Sequence, residues 1–96
     1  MKVRWTGPAA EHWEQAFNYI ADSHQAAAER IATQIIEIAE MLAVHPHLGK
    51  VGRLPNTREF VITNTPFVLV YGIDSVNDAL WIYAVYHASR RWPKHF

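Results

Sequence analysis

The chain predicts an α+β domain in the order β-α-α-β-β-β, with a helical hairpin packed on one face of a small, mostly antiparallel sheet. Three observations predict it. Two stretches with a helical apolar period occupy the first half of the chain. Three short β-branched and aromatic runs separated by polar turns fill the second half. A short alternating segment, Lys2 to Trp5, precedes them all.

Each element has its own signal. After the alternation at Lys2 to Trp5, Thr6-Gly7-Pro8 supplies a helix start. Thr6 can cap, and Pro8 suits a first turn whose N–H groups lack partners anyway. Trp13, Phe17 and Ile20 then fall at i, i+4 and i+7 on one stripe. Asp22 and Ser23 interrupt it, and either can cap a second helix, with Gln25 three residues after Asp22 completing a weak capping box. In that helix Ile31, Ile35, Ile38 and Leu42 form the buried row, flanked by Ala28, Ala32 and Ala39, whose small size permits close helix packing. His45-Pro46-His47 ends it, because a residue before proline avoids the helical region. Gly49, Gly52 and Pro55 mark a loop running to about Asn56. Strands are expected over 58–62, 67–73 and 79–87, joined by Thr63-Asn64-Thr65-Pro66 and by a polar turn at 74–78. The last two are apolar on both faces, as central strands are.

Composition bounds the function. At 96 residues, half of them apolar, the chain is one domain, 1–96, able to bury a single core. It has no apolar run near the roughly 20 residues that span a bilayer and no signal-peptide pattern, so a cytoplasmic protein without membrane contact is expected. The absence of cysteine removes disulfides, thiolate metal sites and a cysteine nucleophile. Lysines and arginines number 9, aspartates and glutamates 9, but they are segregated. Six acids and three cations lie in residues 1–44, whereas Lys50, Arg53 and Arg58 meet only Glu59 in 45–60, and Arg90, Arg91 and Lys94 meet no acid in 87–96. Acidic helices and a basic loop and tail point to a polyanion or an acidic partner at one end.

Several residues are candidates for chemistry. Arg58, at a strand start beside the basic loop, can grip a phosphate through two parallel hydrogen bonds, or pair with Glu59, Asp74, Asp78 or a partner's acid. His87 ends the last strand beside Tyr86. It can act as a general acid, with Arg90 and Arg91 holding phosphates, or simply fix the strand's exit. Glu59 should face away from Arg58 along the strand, which argues against a compact Glu/Arg/His site. His45 and His47 lie two apart in a loop, but no carboxylate or histidine set completes a metal site. Trp5, Trp13 and Trp81 fall on regular elements, while Trp92 either stacks a base or packs back on the fold. No phosphate-cradling glycine motif or nucleophile elbow is present.

Five segments in order carry a resemblance. After the Lys2-Val3-Arg4-Trp5-Thr6 start and the helix at 27–42 come His45-Pro46-His47-Leu48-Gly49-Lys50, then Gly52-Arg53 and Thr57-Arg58-Glu59. Pro66-Phe67-Val68-Leu69-Val70-Tyr71 and Val85-Tyr86-His87-Ala88-Ser89-Arg90 complete the series. Together they resemble the RelE/ParE superfamily of toxins from bacterial type II toxin–antitoxin systems, nearer the ParE-like branch, over almost the whole chain. Ala84 departs from it, since many ParE-like relatives carry an arginine there. The resemblance implies a toxin that inhibits growth by interfering with DNA gyrase, of the kind associated with plasmid stabilization. It would use no cofactor and would be neutralised by a cognate antitoxin in a hetero-oligomer. Antitoxin and target would meet Lys50, Arg53, Arg58, Trp81, Tyr83, His87, Arg90, Arg91 and Trp92. The superfamily's other branch implies the alternative: a RelE-like, ribosome-dependent endonuclease (mRNA interferase) using Arg58, His87 and Arg90. Balanced charge weighs against that alternative, because affinity for ribosomal RNA scales with the phosphates neutralised.

Overall fold

The computed structural model describes residues 1–89. Its elements are β1 (Lys2–Trp5), α1 (Gly7–Ser23), α2 (Gln25–Val44), β2 (Lys50–Val51), β3 (Arg58–Val61), β4 (Phe67–Asp74) and β5 (Ala79–His87). One sheet holds all the strands in the order β1-β5-β4-β3-β2. β1 runs parallel to β5, and every other pairing is antiparallel. The expected α+β hairpin-on-sheet architecture is therefore the observed one.

Thr6 caps α1 as expected, its side chain accepting the Ala9 N–H at 3.1 Å with Pro8 in the first turn. The same hydroxyl donates to the Tyr83 carbonyl at 3.4 Å, tying the helix start to β5. The joint between the helices differs from expectation. Asp22 and Ser23 stay inside α1, and His24 alone serves both ends, with no side-chain cap for α2. Its N–H donates to Ile20 O at 2.7 Å and its carbonyl accepts from Ala28 N at 3.0 Å. A cap contributes only about 1 kcal/mol. Docking Ile20 against the core and burying Ala28 completely fixes where the chain must turn, and that packing wins.

On α2, Ala28, Ile35, Ala39, Leu42 and Ala43 are buried, and Ile31 and Ile38 pack at the margin. Beneath the hairpin they meet Ile62, Phe67, Leu69, Tyr71, Leu80, Ile82 and Val85 from the sheet. β2 was expected to be loop. Two residues are too few to show a period, and the glycines on either side read as turn. The structure nevertheless pairs Lys50 with Glu59 and Val51 with Arg58, making β2 a sheet edge. β3 ends one residue early and β4 runs one residue long, within the ordinary spread of element ends.

β5 carries a bulge. Val70 stands opposite Ala84 and Tyr71 opposite Ile82, which leaves Tyr83 as the extra residue. Ile82 and Val85 consequently face the helices, whereas Tyr83 and Ala84 both belong to the other face. That second face carries no helix, yet Val68, Val70, Ala84 and Tyr86 form a buried cluster on it.

Candidate functional site

The two faces divide the predicted residues between them. Arg58 stands opposite Tyr71, on the helix side. Its Nη1 donates to the Gly49 carbonyl at 2.7 Å and to that of His47 at 3.4 Å. The fully buried Tyr71 hydroxyl completes the clasp, donating to Pro46 O at 2.6 Å and accepting from Gly49 N at 2.9 Å. Burial pushes the Tyr71 phenol up, only partly offset by the Gly49 N–H and the Arg58 charge. Among the described residues Arg58 forms no ion pair with Glu59, Asp74 or Asp78. It holds the loop after α2 in place.

His87 stands opposite Phe67, also on the helix side, and meets its ring edge-on at 5.5 Å and 83°. Its Nδ1 lies 2.8 Å from the Ser89 hydroxyl and accepts the Ser89 N–H at 3.2 Å. Arg58 and His87 are thus set against positions 71 and 67 of β4, roughly 13 Å apart along the strands and two strands apart across them. The fold does not bring them together into one catalytic site. The remaining tail residues proposed from sequence, Arg90, Arg91 and Trp92, lie outside the described residues.

The face away from the helices gathers the others. Trp81 stands opposite Gly72, and a Cβ at Gly72 would lie 2.6 Å from Cε2 of Tyr83, so the Tyr83 ring occupies the space that the missing side chain leaves. Both aromatics line a shallow depression with Thr6, Asp74 and Val76. The Asp74 carboxyl is held below its ordinary value, first by the Asn77 side chain and then by the Asn77 backbone N–H. Lys50 lies opposite Glu59 and therefore on this face.

At its centre is a carboxylate for which no binding role was expected from the sequence. Glu59, 4 % exposed, accepts the Arg53 N–H at 3.0 Å on Oε2 and the Tyr86 hydroxyl at 2.9 Å on Oε1. Arg53 Nε lies 3.6 Å from Oε2, Nη2 donates to the Tyr86 hydroxyl at 2.9 Å, and the guanidinium carbon sits 5.3 Å from the Tyr86 ring centre. The expectation that Glu59 turns away from Arg58 holds. Facing away is what delivers it to Arg53 and Tyr86. The one available signal was strand parity, which groups Glu59 with Val61, but β5 parity was hidden by the bulge.

Burial pushes the Glu59 carboxyl up, but the Arg53 N–H, the Tyr86 hydroxyl and the Arg53 charge together outweigh it and hold it below 4.5. Burial raises the Tyr86 phenol, and the carboxylate it donates to raises it further. The sign for stability follows. With a folded value below the unfolded one, ionised Glu59 contributes fully above about pH 4.5, and the contribution is lost as pH falls through the lower folded value. Urea denaturation from pH 7 to 3 is expected to show stability declining in that acid range, with this part of the decline missing in Glu59→Gln.

Among the described residues no group of three or more His, Asp or Glu is placed to hold a metal ion, and no helix is long and apolar enough to cross a membrane. A hairpin on a five-stranded mixed sheet is the fold of known toxins. Over 93 % of this chain and 97 % of the other, it matches a structure of the chromosomal ParDE toxin–antitoxin system of P. aeruginosa with a TM-score of 0.80 at 16 % identity. It matches the intact E. coli RelBE toxin–antitoxin complex at 0.62 and 14 % identity, over 93 % and 98 % of the two chains. In sequence it is 31 % identical over 93 residues to Y4kP, a protein of Sinorhizobium fredii (strain NBRC 101917 / NGR234) named as a candidate toxin, covering 97 % of this chain and 94 % of that one. Residues 3–92 match the family described as "ParE toxin of type II toxin-antitoxin system, parDE", and the chain belongs to that family.

Proposed function

We propose that this ParE-family toxin acts by binding DNA gyrase, without chemistry of its own, and that a cognate antitoxin holds it inactive. The observation that carries this reading is the buried carboxylate in the middle of the basic face. A nuclease needs cations open to a phosphate and a proton donor beside them. Here Glu59 meets the Arg53 charge, its own charge repels phosphate, and the Tyr86 proton is committed to it. His87 faces the opposite side of the sheet. Family membership supports gyrase as the target, in line with the ParE-like resemblance.

The antitoxin fits the same picture. Ile36, Met41 and Val44 of α2 and Val51 of the edge strand β2 are exposed apolar side chains, suited to an amphipathic helix or an added strand. Its acids would meet Lys50, Arg53 and the tail arginines. The experiment pairs a gyrase supercoiling assay with messenger-RNA cleavage in a translating extract. Purified toxin is expected to inhibit supercoiling and leave the message intact. Cleavage on ribosomes with gyrase untouched would establish the RelE-like alternative instead. His87→Gln is expected to stay toxic, and loss of toxicity in a folded variant would restore its catalytic role.

A further inference from the structure

The depression at the Ala79 end of β5 has a volume of about 560 Å³, within the range of ligand sites. Two half-buried aromatic rings, Trp81 and Tyr83, line it together with Asp74 and with Val76, whose side chain is 92 % exposed at the turn. The turn fixes the direction of the Asp74 carboxylate. Oδ1 accepts the Asn77 N–H at 3.1 Å, and Oδ2 accepts the Asn77 side-chain amide at 2.9 Å. These contacts, with the Trp81 side chain as a further donor, hold the group ionised. Every one of these donors is neutral, so the negative charge keeps no counter-ion. Among the described residues no lysine or arginine pairs with Asp74. Arg4 stands beside Trp81 on β1, yet it neither pairs with that carboxylate nor stacks on that ring.

We propose that this depression seats an arginine side chain presented by a partner protein, its guanidinium on the Trp81 and Tyr83 rings and its charge beside Asp74. Three features select that chemistry. An aromatic face attracts a cation, and indole does so best among the side chains. A fixed carboxylate without a counter-ion adds to the attraction and repels phosphate, which disfavours a nucleotide on the same rings. The exposed Val76 offers an apolar surface to the methylene stem behind a charged head. Arginine fits better than lysine, because a planar, weakly hydrated guanidinium stacks on a ring while an ammonium holds its water. The site requires only the arginine, whichever protein carries it, and so stands or falls separately from gyrase as the target.

The test titrates the peptide acetyl-Gly-Arg-Gly-amide into the full chain labelled with nitrogen-15. The Trp81 indole N–H and the Asn77 side-chain amide are followed by NMR. Both signals are expected to shift saturably, with half-saturation in the millimolar range. The citrulline peptide keeps the planar shape without the charge and should bind at least about threefold more weakly. Asp74→Asn should weaken the arginine peptide by about threefold and leave the citrulline peptide unchanged. Equal affinity for the two peptides on the unaltered chain would overturn the proposal, as would no saturable shift at Trp81. A lysine peptide that binds as well as the arginine peptide would overturn the assignment to arginine. Adenosine monophosphate binding the same signals more tightly than the peptide would overturn it too, making the rings a platform for a base.

Discussion

Gly49→Val is expected to destabilise the fold by about 1–3 kcal/mol, the range of overpacking a close-packed interior. The cost is one of space. No glycine among the described residues has a positive φ, so valine meets no forbidden backbone at this position. It meets Tyr71: an added Cβ would overlap the hydroxyl and lie 2.7 Å from Cε1 and 2.9 Å from Cζ. An exposed side chain would swing aside. Tyr71 is fully buried, and its hydroxyl is held from both sides by Pro46 O and Gly49 N. Any displacement also breaks the carbonyl contacts of Arg58 on the same loop. Urea denaturation with an unchanged m-value would check it, and a loss under about 0.5 kcal/mol would show that the clasp yields easily.

The second large effect is expected from Glu59→Ala, at about 2–3 kcal/mol. Alanine leaves the Arg53 N–H and the Tyr86 hydroxyl without their buried acceptor. The ion pair adds little to the total, because the Arg53 side chain is 55 % exposed and water screens it. Glu59→Gln keeps an acceptor of similar shape and should cost only about 1 kcal/mol. In a Tyr86→Phe background the alanine change should become cheaper by about 1 kcal/mol, the signature of residues acting as one network. Strict additivity in that double-mutant cycle would show that the two contacts are independent.

The fold was legible in the sequence because its elements carry strong local signals. The Thr6 cap, the isoleucine row of α2, the His45-Pro46 stop and the two apolar strands each specify their element without help from the rest of the chain. What stayed hidden depends on partners far away in sequence. β2 exists only because Glu59 and Arg58 offer Lys50 and Val51 a ladder. The hairpin joint sits at His24 because the core beneath Ile20 and Ala28 demands it, against the capping preference of Asp22 and Ser23.

The site was legible by composition and not by arrangement. Lys50, Arg53, Trp81 and Tyr83 were picked out as a binding surface, and the structure sets them on one face of the sheet. Arg58 and His87, with Arg90, were catalytic candidates only under the RelE-like alternative, on their strand-end positions and the family resemblance. The fold engages Arg58 in the loop after α2 and rests His87 on Phe67. Glu59 was read only as turned away from Arg58, and it is the centre of a hydrogen-bonded group with Arg53 and Tyr86.

The bulge at Tyr83 acts on β5 as a frameshift acts on a coding sequence. Upstream of it, even-numbered residues point to the helices, and downstream odd-numbered ones do. Were Tyr83 paired in regular alternation instead, the last positions would trade sides: Val85 would stand opposite Val68, and the phenol now reaching Glu59 would turn toward the helices. A single uncounted residue thus sets the chemical character of this surface, by bringing the Tyr86 phenol to Glu59.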